Sequence, residues 1–175
     1  MPEALAPWKT AFVESPEDYQ QIDTSGRDGS NHFMHSHLHR LPDFVTGYDL
    51  YTSHAKLLDQ SSEVLVAVLR LGPNLAGYPD LIHGGATALL FDDVVGFAAE
   101  VVLAQETGPR KNAVTAHLAV DFQASLPLPS TVLMLVRLQA RQGRKLWFAA
   151  QIVNMEQTLV FATAKVLYML PRASL

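Results

Sequence analysis

The sequence contains no cysteine. The chain therefore cannot form disulfides, bind zinc through thiolates or use a thiol as a nucleophile. Positive charge is also scarce, because 13 Lys and Arg residues are outnumbered by 17 Asp and Glu residues and the net charge is −4. Such a chain lacks the basic surface that binds the phosphates of nucleic acid, so we expect no nucleic-acid partner.

Long apolar runs are missing as well. No run reaches the roughly 20 residues that a membrane-spanning helix needs, so we expect no membrane span. The N-terminal segment, residues 1–19, has no apolar core and contains three Glu and one Asp. This composition argues against a secretory signal and against an Arg-rich transit peptide. We therefore expect a cytoplasmic protein.

Charged residues make up only 17% of the chain, and apolar residues make up 49%. Globular domains usually contain about 25% charged residues. The deficit indicates either a surface that a second subunit covers or a cleft that holds an apolar ligand. The length of 175 residues suits one domain with a substantial core.

Composition divides the chain into two parts. Residues 1–44 are polar, contain several Pro and Gly residues, and have too few apolar residues for a core of their own. We predict that they form an irregular N-terminal cover, with a short helix at residues 7–13. Residues 45–175 are predicted to form the main domain.

A long helix is predicted over residues 85–104, with strands before and after it. The helix is apolar on nearly every face, which is typical of a helix buried in a core. The C-terminal strands are joined by short turns, so they should pair antiparallel. We predict an α+β fold in which an antiparallel sheet wraps around one long central helix. The predicted strands are residues 44–53, 62–71, 113–124, 131–141, 145–154 and 159–169.

The start of the predicted helix has a distinctive sequence. His83 is followed by Gly84 and Gly85, and Asp92 and Asp93 lie in the middle of the apolar segment. Glycines at a helix start leave backbone N–H groups accessible at the positive end of the helix dipole, where a developing oxyanion can be held. A carboxylate in an apolar helix is costly unless it is paired or functional. These features together indicate a site that cleaves a thioester.

Four segments are informative together: HGGATALLFDD from His83, Asn74 upstream of it, VTAHLAVDF from Val114, and RQGRKLWF from Arg141. Taken in their order along the chain, these segments resemble the hotdog-fold acyl-CoA thioesterases of the PaaI/4HBT type. In that family an Asp follows the His of the His-Gly-Gly turn by nine positions. The resemblance covers about residues 63–170, and residues 1–62 are closest in style to the extended fungal members.

The resemblance implies a set of catalytic residues. Asp92 matches the family carboxylate and would act as a general base or nucleophile. Gly84 and Gly85 would donate backbone N–H groups to the thioester carbonyl oxygen, and Thr115 would position the attacking water. His83 would either orient the turn or bond the thioester group.

Three alternatives stay open for these residues. Asp93 lies about 100° around the helix from Asp92 and could be the base instead. The two glycines could serve only to make a tight turn. Thr115 could be an ordinary β-branched strand residue.

Substrate-binding residues are predicted in two places. Asn74 could donate to the substrate, or it could only form a turn after Gly72 and Pro73. Arg141, Arg144 and Lys145 in the predicted hairpin, with a second basic loop at residues 110–111, could bind the phosphates of CoA. Alternatively, these charges are simply solvated.

Four histidines form a separate cluster. The last three alternate along the chain, so on a strand they would share one face and could hold a metal ion at the surface. We favour a polar strand or loop face, because no carboxylate lies among them, and we expect neither a metal nor a cofactor. The four residues are His32, His35, His37 and His39.

The spacing of the candidate residues has a consequence for assembly. Gly84 and Asp92 lie about 12 Å apart along one helix. One chain is therefore a poor source of both groups for one site, whereas a two-fold axis would bring Gly84 of one copy near Asp92 of the other. Hotdog thioesterases are built this way, so we predict a homodimer or a homotetramer.

The predicted function is hydrolysis of acyl-CoA thioesters to free acid and CoA. Asp92 would activate the water, and the glycine N–H groups would stabilise the oxyanion. Alternatives are a thioesterase for polyketide or fatty acyl chains on a carrier protein, and a non-catalytic acyl-CoA binder. A hotdog dehydratase or hydratase is a further alternative, with His117 as the strand histidine that it would need.

Overall fold

The structure is a computed structural model that describes residues 6–23, 41–53, 63–107 and 113–171. Within these ranges, short 3-10 turns occur at Ala11–Val13, Pro16–Asp18 and Pro73–Leu75. The strands and the long helix are, in chain order, β1 (Tyr19–Gln21), β2 (Val45–Ser53), β3 (Leu65–Leu71), β4 (Ala76–Tyr78), β5 (Leu81–Ile82), α1 (Gly84–Thr107), β6 (Val114–Phe122), β7 (Ser130–Gln142), β8 (Lys145–Asn154) and β9 (Val160–Met169).

Seven strands form one antiparallel sheet in the order β1-β2-β3-β7-β8-β9-β6. Strands β7 and β8 form a tight hairpin in which Gln142 lies opposite Lys145. Gly143 in that turn has a φ of 54°, a conformation that glycine adopts without steric cost. Strands β4 and β5 form a small separate hairpin just before the helix.

Helix α1 lies on the inner face of this sheet. Its apolar side chains are buried around most of its circumference, as the absence of a polar stripe in the sequence predicts. Leu90, Phe91, Val94, Val95 and Ala98 are among the buried residues of the main core. The predicted antiparallel sheet around one long central helix is confirmed.

The outer face of the sheet is covered by residues that precede β1, among them Trp8 and Phe12. Phe12 is buried there in a second apolar cluster with residues of β3, β7, β8 and β9. The backbone N–H groups of Trp8 and Thr10 donate to the side-chain oxygens of Gln151 and Gln157, at 2.8 and 2.7 Å. The division of the chain at residues 44 and 45 stays a prediction.

The helix predicted at residues 7–13 was too long. Only Ala11–Val13 forms a 3-10 turn, capped by the side chain of Thr10, whose own backbone is extended. The reason is a contact with a distant part of the chain: the Thr10 N–H, which a helix over residues 7–13 would use internally, donates to the Gln157 side chain, and the Trp8 N–H donates to Gln151.

Parts of the sequence analysis concern residues outside those that the structure describes. The histidines of the 32–39 cluster and the basic residues 110–111 lie there. Within the described ranges, no helix combines the length and the apolarity that a membrane crossing would require.

Candidate functional site

His83 forms the cap of α1. Its Nδ1 accepts a hydrogen bond from the Gly85 N–H at 2.9 Å, and its carbonyl oxygen accepts one from the Thr87 N–H at 3.1 Å. The imidazole therefore occupies one of the backbone donors at the start of the helix. The contact matches the first of the two predicted roles for His83, orientation of the turn.

The glycines around His83 differ in which neighbouring side chain they leave room for. A Cβ at Gly85 would lie 3.0 Å from His83 Nδ1, and a Cβ at Gly77 would lie 2.8 Å from the His83 ring, so both positions leave room for the imidazole. A Cβ at Gly84 would meet only the Phe122 ring, at 3.4 Å. Packing within the described residues therefore gives little reason for a glycine at position 84.

The Gly84 N–H is an accessible donor at the helix start. In the part of the chain that the structure describes, the Gly85 N–H is bound to His83 and the Gly84 N–H has no acceptor. The first turn of α1 contains no acidic residue, so no carboxylate there offsets the positive end of the helix dipole. This end of the helix favours a negatively charged or polarised oxygen.

Asp92 lies two turns further along α1 and is half-buried. Its Oδ1 accepts a hydrogen bond from Thr115 Oγ1 at 2.7 Å. The Tyr168 hydroxyl donates to the backbone oxygen of Asp92 at 2.6 Å and approaches its Oδ1 at 3.3 Å. We refer to Asp92, Thr115 and Tyr168 as the Asp92 cluster.

Strand pairing brings the cluster together. Thr115 of β6 lies directly opposite Tyr168 of β9, and a bulge follows at once, because the next paired residue of β6 is His117. A bulge changes the regular alternation of side chains and often orients a residue beside an active site. Sequence analysis missed Tyr168, since its strand is largely apolar and the register is not visible in the sequence.

The Tyr168 hydroxyl keeps its proton. Burial raises the pKa of Tyr168 well above its ordinary value of 10, and the charge of Asp92 raises this pKa further, whereas a hydrogen bond from Thr115 lowers it. Tyr168 is therefore a hydrogen-bond donor at every pH at which the protein would be assayed.

Asp93 has different surroundings from Asp92. Its side chain is buried, with 7% of its surface exposed. Tyr48 of β2 donates a hydrogen bond to Asp93 Oδ2 at 2.5 Å. The two adjacent carboxylates thus point to opposite parts of the sheet, as the 100° step of a helix predicts.

A cavity of about 440 Å³ opens beside the start of α1. Asp92 and His117 are not among its lining residues. The accessible helix start and the Asp92 cluster therefore lie in separate places within one chain. The residues that line the cavity next to the helix include Tyr78, Leu81, Ile82, Gly84, Phe122 and Phe161.

The predicted substrate-binding residues lie elsewhere. Asn74 Nδ2 donates to the Pro42 oxygen at 2.8 Å, which fits the turn interpretation of Asn74. Arg144 donates to the Leu170 oxygen at 2.8 Å, while Lys145 is exposed and Arg141 is half-buried.

The basic hairpin lies at the same end of the sheet as Thr115. Lys145 lies opposite Met169 of β9, and Met169 lies opposite Val114 of β6.

Among the described residues, no group of three or more His, Cys, Asp or Glu could hold a metal ion.

Comparison with protein families gives a match to the family described as the thioesterase superfamily, over residues 80–161. Acyl-coenzyme A thioesterase THEM4 of Rattus norvegicus is 27% identical over 118 residues, 66% of this chain and 46% of that protein. The THEM4 protein of Bos taurus is 30% identical over 103 residues, 59% of this chain and 39% of that protein. The chain thus spans less than half the length of these curated relatives.

Solved structures give the same fold. The E. coli PaaI protein from the phenylacetic acid degradation operon has a TM-score of 0.53 at 16% identity, over 62% of this chain and 72% of that chain. Thioesterase superfamily member 2 from Mus musculus has a TM-score of 0.53 at 12% identity, over 61% of this chain and 74% of that chain. The resemblance found in the sequence is confirmed: the chain is a hotdog-fold protein whose residues 80–161 match the thioesterase superfamily.

Proposed function

We propose that the chain hydrolyses acyl-CoA thioesters to free acid and CoA. The observation that best supports this function is the pair of complementary groups on α1. One is the helix start with its accessible Gly84 N–H, and the other is a half-buried Asp92 carboxylate held by Thr115. The similarity to acyl-coenzyme A thioesterases of other organisms supports the same substrate class.

The proposed chemistry uses these two groups on opposite sides of the thioester. The carbonyl oxygen accepts the Gly84 N–H, and the helix dipole stabilises the negative charge that develops on it. Water attacks the carbonyl carbon while Asp92 accepts a proton from it. The C–S bond then breaks, and the CoA sulfur leaves as a thiolate and takes up a proton.

Asp92 has one oxygen available for that water. Oδ1 accepts the hydrogen bond from Thr115 and lies near the Tyr168 hydroxyl. We therefore assign proton acceptance to Oδ2. In this proposal Thr115 fixes the carboxylate and does not bind the water directly, which refines its predicted role.

We propose that each site is shared between two copies of the chain. Among the strands that the structure describes, β6 is the last of the sheet, and its terminal residues Val114 and Phe122 are 54% and 59% exposed. An unpaired strand edge with exposed apolar side chains is suited to pairing with another chain.

The positions on β6 favour a two-fold arrangement. Thr115 contacts Asp92 near one end of this strand, and Phe122 lies beside Gly84 at the other end. Antiparallel pairing of two β6 strands, centred between Leu118 and Ala119, would place Thr115 of one copy opposite Phe122 of the other. Asp92 of one copy would then approach Gly84 of the other, and two equal sites would result.

The function is tested by thiol release from a panel of acyl-CoAs. We expect turnover by the wild-type protein and a kcat at least about 100-fold lower for Asp92→Asn. Asp93→Asn is the matched control, because it makes the same chemical change one residue away, and it should keep its kcat if it folds. A protein that binds acyl-CoA without turnover would instead be a non-catalytic binder.

The shared site is tested by mixing two inactive variants. Gly84→Pro removes the proposed oxyanion donor, and proline is well tolerated at the first position of a helix. Copies with Gly84→Pro and copies with Asp92→Asn should regain activity when refolded together, since each mixed dimer has one intact site. No recovery in a confirmed mixed dimer would place both groups of a site in one chain.

The basic hairpin bears on the choice between CoA and a carrier protein. The basic hairpin with Arg141, Arg144 and Lys145 is suited to CoA phosphates, which favours CoA over a carrier protein. Activity on carrier-protein thioesters in the absence of activity on acyl-CoAs would reverse that choice.

The cytoplasmic location stays a prediction, and one similar protein, from Candida albicans, is named as mitochondrial.

A further inference from the structure

We propose that Tyr168 is a positioning residue for the Asp92 carboxylate. Its hydroxyl would hold Asp92 in the one orientation from which Oδ2 can accept the water proton, without touching the substrate. This inference rests on the proposed function, because it assigns a task to a residue of that same site.

The geometry of Tyr168 distinguishes it from an ordinary core tyrosine. Its hydroxyl lies 2.6 Å from the backbone oxygen of Asp92 and 3.3 Å from Oδ1 of the same residue. One donor thus contacts both the main chain and the side chain of Asp92, so it restrains where the residue lies and how its carboxylate is turned. The ring is held in turn by an edge-to-face contact with Phe148, at a centroid distance of 6.5 Å.

Gly96 makes this contact possible. It lies one helical turn after Asp92, on the same face of α1. A Cβ at position 96 would lie 3.0 Å from the Tyr168 hydroxyl oxygen, closer than a side chain normally packs against another atom. The glycine therefore leaves the gap through which the hydroxyl reaches the backbone of the helix.

Thr115 and Tyr168 act on the same oxygen from two strands. Thr115 donates to Oδ1 at 2.7 Å, and Tyr168 lies opposite Thr115 across the sheet. With Oδ1 held by both strands, rotation of the carboxylate would break a hydrogen bond. Holding a catalytic group within a narrow range of orientations is what a supporting residue contributes to catalysis.

Tyr48 provides a matched control. It also donates a phenol hydrogen bond to a carboxylate of α1, but to the neighbouring Asp93. Tyr48→Phe and Tyr168→Phe therefore remove the same chemical group from adjacent carboxylates. A general loss of packing or stability would affect the two variants alike, whereas a positioning role would separate them.

The first experiment compares the steady-state kinetics of these variants on an acyl-CoA that the wild-type protein cleaves. We expect Tyr168→Phe to lower kcat about tenfold with KM nearly unchanged, because the interaction matters in the transition state. Tyr48→Phe should lower the melting temperature and keep kcat. Equal kcat values for wild type and Tyr168→Phe would overturn the proposal.

A second comparison asks whether the effect of Tyr168 passes through Asp92. In an Asp92→Asn background, the residual rate should be the same with Tyr or Phe at position 168, because the group to be positioned is gone. A further tenfold loss in that background would mean that Tyr168 acts on something other than Asp92, and would also overturn the proposal.

Gly96→Ala tests the same contact from the helix side, so the proposal can still be tested if Tyr168→Phe does not fold. Alanine has a higher helix propensity than glycine, so the helix itself does not suffer, but the new methyl group would displace the Tyr168 hydroxyl. We expect a several-fold lower kcat, and in a folded Tyr168→Phe protein the same substitution should have no further effect. A Gly96→Ala variant with wild-type kcat would contradict the proposal.

Failure of this inference and failure of the proposed function give different results. If wild type releases no thiol from any acyl-CoA, the proposed function is wrong. If wild type turns over, Asp92→Asn does not, and Tyr168→Phe keeps the full kcat, then the function holds and Tyr168 is only a core residue.

Discussion

Asp92 and Asp93 are neighbours in α1, yet their surroundings differ in burial and in the source of their hydrogen bonds. Asp93 is 7% exposed and receives a bond from Tyr48 of β2 in the interior of the sheet. Asp92 is half-buried, and its partners come from β6 and β9 at the edge of the sheet. One carboxylate thus faces the interior of the fold and the other faces an edge where a second molecule can approach.

This difference indicates how two adjacent carboxylates can have separate tasks. A buried carboxylate needs hydrogen-bond donors to offset its desolvation, and the bond from Tyr48 to Asp93 also links the helix to the sheet. A carboxylate with one oxygen held and one available can exchange protons with water. Replacing each residue should therefore affect different quantities, stability for Asp93 and turnover for Asp92.

The largest expected effect on stability follows from Asp93→Ala. This change removes a buried carboxylate that accepts a hydrogen bond from half-buried Tyr48 and leaves a small cavity, so we expect the free energy of unfolding to fall by about 2 kcal/mol. Asp92→Ala should lower it by less than about 1 kcal/mol, since that site is half-exposed. Urea unfolding of both variants measures the two values, and equal losses would remove the distinction between the carboxylates.

Thr115→Val is expected to separate turnover from stability. It removes the hydrogen bond to Asp92 Oδ1 while keeping a β-branched side chain in an exposed part of β6. We expect kcat to fall about tenfold, which corresponds to about 1.4 kcal/mol, with the free energy of unfolding within about 0.5 kcal/mol of wild type.

Thr131→Val is the control for that prediction. Thr131 is likewise an exposed threonine in a strand, at the start of β7, and it is not part of the Asp92 cluster. Its kcat should stay at the wild-type value. If both valine variants lose activity alike, the hydrogen bond from Thr115 to Asp92 has no special part in catalysis.

Much of this arrangement could be predicted because it depends on local signals. The apolar circumference of α1 predicts a buried central helix, and the short turns predict the antiparallel strands that follow. The sequence of His83, Gly84 and Gly85 marks the helix start, where the cap by His83 is found. Each of these features depends on residues that are close together in the chain.

The remaining features depend on contacts between distant segments. Tyr168 meets Asp92 across 76 positions of sequence, and its place opposite Thr115 depends on the register and the bulge of β6. The wrong helix prediction at residues 7–13 has the same cause, because Gln151 and Gln157 bind N–H groups that lie more than 140 positions away. Local propensity contains no information on such partners.

The smallest expected effect extends the comparison from the carboxylates to the surface around them. If Asp92 rather than Asp93 faces the substrate, then cations at the Thr115 end of the sheet lie where CoA phosphates can reach them. Lys145→Gln should raise KM for an acyl-CoA about threefold with kcat unchanged, since exposed charge pairs contribute less than about 1 kcal/mol. Lys165→Gln is the matched control, because Lys165 is also exposed but lies in the middle of β9, opposite Ala119 and Ala149. The increase in KM should shrink as ionic strength rises. An equal change for both lysines would mean that only the net charge matters, and that the hairpin does not bind the phosphates.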